Sequence, residues 1–158
     1  MSDELKVCSI TEKPKSLPLY LKQKCNHWLS YLPNLEATIQ ERRSELLSST
    51  GPEDENIGGG RNSFVSQPTE SLVIKLVEDP VLVQLEGVGI VFNRLVGIYS
   101  RDTETFLKGL YLTNKSMSEL SKSIGVSVRT LERWNKRFLI DFAWEMGWCS
   151  EQETIETL

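Results

Sequence analysis

The sequence holds one histidine, His27, and three cysteines, Cys8, Cys25 and Cys149, in 158 residues. No CxxC pair occurs, so neither a disulfide framework nor a thiolate zinc site is expected. His27 follows Cys25 by two residues, but two isolated donors fall short of the ligand set that a protein-bound metal needs. No carboxylate pair and no nucleophile–base pair has helical or motif spacing, so neither an enzyme nor a cofactor is expected. A signal peptide is not seen, and no apolar run of about 18 residues is apparent, so no membrane span is expected. A reducing, cytoplasmic setting follows. Positive charge is also in short supply: 18 Lys and Arg stand against 22 Asp and Glu, a net charge of −4 and a pI of about 5.2. Those totals do not advertise a nucleic-acid partner.

The distribution of charge reads differently. Between Lys115 and Arg137 there are six basic residues against two acidic ones, a local charge of +4. From Asp141 to Leu158 there are five acids and no basic residue. The basic window coincides with the most structured motif in the chain, SMSELSKSIGVSVRTLERW, from Ser116 to Trp134. Ser116 and Glu119 form a capping box, which starts a helix at Met117. Met117, Leu120 and Ile124 recur at helical spacing. Ser121 is small enough for a second helix to cross closely. Gly125 stands where a tight interhelical turn needs a positive φ. Val126 plugs the inside of the turn, and Ser127 caps a second helix. That helix has a core stripe of Leu131, Trp134, Phe138 and Phe142. Its other face carries Arg129, Arg133, Lys136 and Arg137, with Thr130 beside them. Basic and hydroxyl residues in the first turns of a second helix are what major-groove reading of double-stranded DNA requires. With the two capping serines, Ser116 and Ser127, these residues make up the expected DNA-binding set.

The rest of the chain reads as helical too, so the expected class is all-α. Residues 1–16 are polar and expected to be a mobile tail. Residues 17–48 read as a helical hairpin. Leu21, Cys25, Trp28 and Leu29 mark its first helix, and Leu35, Ile39 and Leu46 mark a second that starts at Pro33. Residues 49–68 read as a linker with four glycines and two prolines. Gly58-Gly59-Gly60 lacks a following Gly-Lys-Ser/Thr, so it is not a phosphate loop. Residues 69–148 form the expected helix-turn-helix domain. Thr69 caps a first helix there with Leu72, Leu76 and Val77 as its core face. Asp79-Pro80 opens a second, marked by Leu85, Val88, Phe92, Leu95, Val96 and Tyr99. Ser100 or Asp102 caps a third, 103–113, presenting Phe106, Leu107, Leu110 and Tyr111. Gly147 ends the long last helix, with Trp148 folding back near Phe142. Ile140 and Trp144 lie opposite the core stripe, so another helix is expected over them, from the hairpin or from a second subunit. Residues 149–158 are expected to be a frayed acidic tail.

The order of a helix pair, a linker with NIGGG, and helices leading to SMSELSKSIGVSVRTLERWNKRFL resembles the RinA/ArpU-type phage regulators of Gram-positive bacteria. Their C-terminal part is similar to the promoter-reading region 4 of sigma factors. The resemblance spans roughly 19–148. It implies an activator of late phage genes that works with bacterial RNA polymerase in the host cytoplasm. It also implies DNA contacts at Ser127, Arg129, Thr130, Arg133 and Arg137. Two other classes stay open: a small terminase subunit for DNA packaging, which a ring assembly would favour, and an interaction module that has lost DNA binding. A homodimer would join two recognition helices and call for two half-sites.

Overall fold

The computed structural model describes residues 13–48 and 67–149, and they form seven α-helices. These are α1 (Leu19–Leu29), α2 (Leu35–Ser48), α3 (Gln67–Glu78), α4 (Pro80–Ile98), α5 (Arg101–Tyr111), α6 (Met117–Ile124) and α7 (Val128–Glu145). The all-α expectation holds, with no strand among the described residues. The expectations for 1–12, for the NIGGG stretch and for 150–158 lie outside the described residues.

Short polar side chains set the helix starts. Asp79 caps α4 by accepting the Leu82 N–H at 3.0 Å, with Pro80 at the first helical position. Ser100 caps α5 by accepting the Thr103 N–H at 3.4 Å. These caps satisfy backbone donors that the first helical turn leaves without partners. The cap at Ser100 decides between the two expected starts, and α5 runs two residues ahead of the expected 103–113. Likewise α3 begins at Gln67, so Thr69 lies in its first turn and is not its cap. Proline is favourable in a first turn because its absent N–H has no partner to lose there, so Pro68 belongs to the helix.

α4 is the central element and packs on α1, α2, α3, α5 and α7. Leu82, Leu85, Val88, Val91, Phe92, Leu95 and Val96 are all buried on it. Its 19 residues and mean hydropathy of 1.6 would suit a membrane span, which corrects the expectation that no such run exists. Its outer face answers that composition with cross-helix ion pairs, Glu86 to Arg43 at 2.8 Å and Arg94 to Glu145 at 3.2 Å. Seven of its apolar side chains are buried, while Val83, Ile90 and Ile98 are exposed on its outer face.

The expected antiparallel hairpin of α1 and α2 is replaced by a different arrangement. Ser30, Tyr31 and Leu35 all stay in the right-handed helical region, bridged by a 3-10 turn at Leu32–Asn34 around Pro33. α1 makes its main contacts with α7 and α4, and α2 with α4 and α3. The apolar stripes explain the divergence. Leu21, Cys25 and Leu29 of α1 enter one core with Phe92, Phe138 and Phe142. Ile39 of α2 joins a smaller cluster with Leu82 and Leu85. Arg42 and Arg43, which interrupt the apolar spacing in α2, serve as ties. The Arg42 guanidinium donates to both carboxylate oxygens of Asp79, at 3.0 and 2.7 Å.

Three further expectations change. Val77 is 67% exposed and is not part of the core face of α3, which makes its main contacts with α2 and α4. Residues 13–16 are not a loose tail, since Lys13 pairs with Asp141 at 2.9 Å and Leu17 is buried. Cys149 belongs to the core and not to the acidic tail: Gly147, at φ +77°, turns the chain back and buries Trp148 and Cys149. Trp148 does pack on Phe142, with ring centroids 5.7 Å apart. The buried Cys25 thiol, its pKa pushed up to about 12 chiefly by burial, stays protonated and unreactive.

Asp79 thus performs two tasks, as helix cap and as acceptor for Arg42. The Arg42 hydrogen bonds hold its carboxyl below the usual range, against the opposing effect of burial. A depressed folded pKa gives stability that is full above the unfolded value of about 3.9 and is lost as pH falls through the folded value. Asp79→Asn should keep the cap and flatten the loss of stability below about pH 4. Asp79→Ala should cost about 1 kcal/mol more for the lost cap. Urea midpoints of the three proteins across pH 2.5–7 check both; parallel curves for wild type and Asp79→Asn would contradict the assignment.

Candidate nucleic-acid interface

The local sequence between α5 and α7 determines how the basic face is presented. α5 ends with Asn114 in the left-handed region at φ +51°, and the Lys115 N–H returns to the Gly109 carbonyl at 2.9 Å. Asparagine tolerates that conformation better than most residues. The chain then enters α6 through the expected capping box. Ser116 Oγ accepts the Glu119 N–H at 3.2 Å, and Glu119 Oε2 accepts the Ser116 N–H at 3.4 Å. The Ser116 side chain is therefore engaged at the start of α6, at the far end of that helix from the turn.

Gly125 ends α6 at φ +85°, ψ 28°, and Ser127 caps α7 three residues after the last residue of α6. Ser127 Oγ accepts the Thr130 N–H at 3.2 Å and lies 3.0 Å from the Thr130 hydroxyl. Val126 is half-buried against the core. The sequence assigns close helix crossing to Ser121, but that residue fastens the turn instead, donating to the Val126 carbonyl at 2.5 Å. Close approach belongs to Gly109, where a Cβ would lie 2.5 Å from Leu120 Cδ2. The signal for this was a glycine inside the apolar stripe of α5, between Phe106 and Leu110.

The inner side of α7 is rigidly packed. Leu131, Phe138 and Phe142 are fully buried, and Trp134 lies edge-on to Phe106 at 6.2 Å. Tyr111, on α5, donates to Asn135 Oδ1 at 2.5 Å. The outer side presents Arg129, Arg133, Lys136 and Arg137, all exposed. Lys115 and Lys122 are exposed on the flank. Among the described residues these six cations have no ion-pair partner, whereas Arg42, Arg43, Arg94 and Lys108 each hold an acid. No acid stands in the first turn of α7. The positive end of the helix dipole and the free guanidinium groups therefore point the same way, an arrangement that attracts phosphate.

Apart from Ser116, the predicted residues form two groups. Ser127, Arg129 and Thr130 lie at the first turn of α7. Arg133, Lys136 and Arg137 line one groove together with Lys13 and Lys15. The two lysines come from the stretch read as tail. Ile140 and Trp144 are half-buried against the protein's own core, Ile140 beside Leu17. Sequence reasoning also missed Asp141, which is buried on α7. It accepts from the Tyr99 hydroxyl and from Lys13. Burial, and then the Asp141 carboxylate, push the Tyr99 pKa upward, so its proton stays on that hydroxyl. An acid within a core stripe was the available signal, because a buried carboxylate needs partners.

The model of a family described as a protein of unknown function, DUF722, matches residues 29–143, and the chain belongs to that family. It is also similar to the transcriptional activator rinA of Staphylococcus phage phi11. The two are 25% identical over 138 residues, which cover 87% of this chain and 99% of that relative. The resemblance to RinA-type phage regulators, read from the residues of the motif, stands. No solved structure matches.

Because a Cβ on Gly125 would meet nothing within 4 Å, substitution there tests backbone conformation alone. Gly125→Ala should cost about 1–2 kcal/mol, the penalty for an L-residue in the left-handed region. Gly125→Asn should cost less, since asparagine tolerates that region. Chemical denaturation measures both; equal stability of the alanine variant and wild type would show that the turn does not need its positive φ.

Proposed function

We propose that this member of the DUF722 family is a sequence-specific, DNA-binding transcription activator of a bacteriophage, working in the host bacterial cytoplasm. α6, the Gly125 turn and α7 act as a helix-turn-helix, with α7 as the recognition helix. The observation that carries this reading is the basic face of α7, unpaired among the described residues, on a helix whose opposite side packs into the core. The relative named a transcriptional activator supports it, covering nearly the whole chain.

In this reading the first turns of α7 enter the major groove. Arg129, Thr130 and Arg133 reach base edges, and Lys136 and Arg137 reach phosphates. Ser116 and Ser127 lie at the starts of α6 and α7, where backbone N–H groups and serine hydroxyls meet the sugar–phosphate chain. RNA polymerase is the second partner, by the similarity of the motif to the promoter-reading part of sigma factors. Function here is recognition without a chemical step. A small terminase subunit is the rival reading; a large ring assembly in solution, with no effect on transcription, would favour it.

Arg133 is exposed and without an ion partner among the described residues, so Arg133→Ala should leave the fold alone. Surface changes of this kind stay within about 0.5 kcal/mol, or a shift of about 2 °C in thermal midpoint. Loss of one bidentate base contact should weaken specific binding by about 1–3 kcal/mol. The check is binding to fragments selected from the source genome, alongside a melting curve. A large fall in thermal midpoint with unchanged DNA affinity would refute the role.

A further inference from the structure

Residues 13–18 run along α7 and are held at two points. At one end Lys13 Nζ pairs with Asp141 Oδ1 at 2.9 Å, and the Asp141 side chain is only 11% exposed. At the other end Leu17 is buried at 5% exposure beside Ile140. Between these points Lys15 is exposed and lines the same groove as Arg133, Lys136 and Arg137. The buried Asp141 carboxylate is paired with Lys13 and hydrogen-bonded by Tyr99, so Lys13 is committed to the pin, while Lys15 has no ion-pair partner among the described residues.

We propose that this segment is a second DNA-contacting element: an arm, pinned by Lys13 on Asp141, that delivers Lys15 to the phosphate backbone flanking the site read by α7. The inference rests on the DNA-binding reading above and extends its footprint. The partner chemistry is the phosphodiester backbone of duplex DNA. Lys15 is a flexible point charge, suited to phosphate and carrying no base information. Lys13 is a positioning residue, because its charge is already spent on Asp141. Two anchors on a short segment lower the entropy lost when the arm meets DNA.

The test is the salt dependence of binding by the full chain to a selected duplex and to an unrelated duplex. Each phosphate contact contributes about −0.9 to the slope of log K against log salt. Lys15→Ala should therefore reduce the slope by about 0.9 on both duplexes, and Lys15→Arg should restore it. Lys13→Ala should give a similar loss by releasing the arm. Added to Lys15→Ala, it should cause no further loss, because the two act through one contact. Lys75→Ala, which removes an exposed charge on α3 away from the groove, should leave the slope unchanged. Thermal midpoints of the variants confirm that each is folded.

An unchanged slope for Lys15→Ala overturns the arm, and so does an equal loss for Lys75→Ala. An additive double variant overturns the role of Lys13 as a pin. Unchanged DNA binding of Lys15→Ala with lost activation would assign the lysine to a protein partner, which also overturns the proposal. Wild-type protein that binds neither duplex at low salt refutes the DNA-binding reading itself.

Discussion

Phe138 is fully buried on the inner side of α7, ringed by aromatic neighbours. Ring centroids lie 5.9 Å away for Phe92, 6.5 Å for Tyr99, 5.4 Å for Tyr111 and 5.8 Å for Phe142. These neighbours come from α4 and its end, from α5, and from α7 itself. The cluster fixes the rotation of α7 about its own axis. A one-residue slip, about 100° of rotation, would carry Phe138 toward solvent and an arginine into the core. Exposing a buried Phe costs about 1.5–3 kcal/mol, and burying an unpaired guanidinium costs more. The orientation of Arg129, Arg133 and Arg137 is thus a consequence of aromatic packing on the opposite side. The proposed reading of base edges by this face would rely on such rigidity.

Three polar side chains at the core, Asn135, Asp141 and Asp79, each tie two elements together. Asn135 accepts from Tyr111, which links α7 to α5. Asp141 accepts from Tyr99 and Lys13, which links α7 to the end of α4 and to the entering chain. Asp79 joins α2 to the start of α4. Removing one partner of such a pair leaves a buried group without its hydrogen bond, which costs more than the bond itself contributes. These ties therefore constrain which arrangement of helices is acceptable, while the apolar contacts supply most of the driving force.

The parts legible in the sequence were those governed by local rules. The capping box at Ser116 and Glu119, the caps at Asp79 and Ser127, and the positive φ of Gly125 and Gly147 depend on neighbours within a few residues. The core stripes of α4 and α7 followed from helical periodicity. What was not legible depends on which faces meet. Pro33 signalled a break, but whether the chain reverses or bends there depends on whether α1 matches α2 or α7. Gly109 needed knowledge that α6 crosses at that point. The order of 13–18 needed an acid 128 residues away in sequence. Of the proposed site, the residues on α7 could be read from spacing, whereas Lys13 and Lys15 come from a stretch with no periodicity at all.

The overall acidity of the chain fits this geometry. The window from Lys115 to Arg137 carries +4 within a net charge of −4, which leaves −8 on the remainder. At physiological ionic strength the screening length is about 8 Å, so a phosphate responds to the cations it touches and little to acids across the molecule. A uniformly basic protein of this size would gain affinity for any DNA in any orientation, and with it a large non-specific background. Under the proposed DNA-binding role, gathering positive charge around α6 and α7 gives up that general attraction. In that role, discrimination rests on contacts whose positions the aromatic core determines, so that base-edge geometry outweighs net charge.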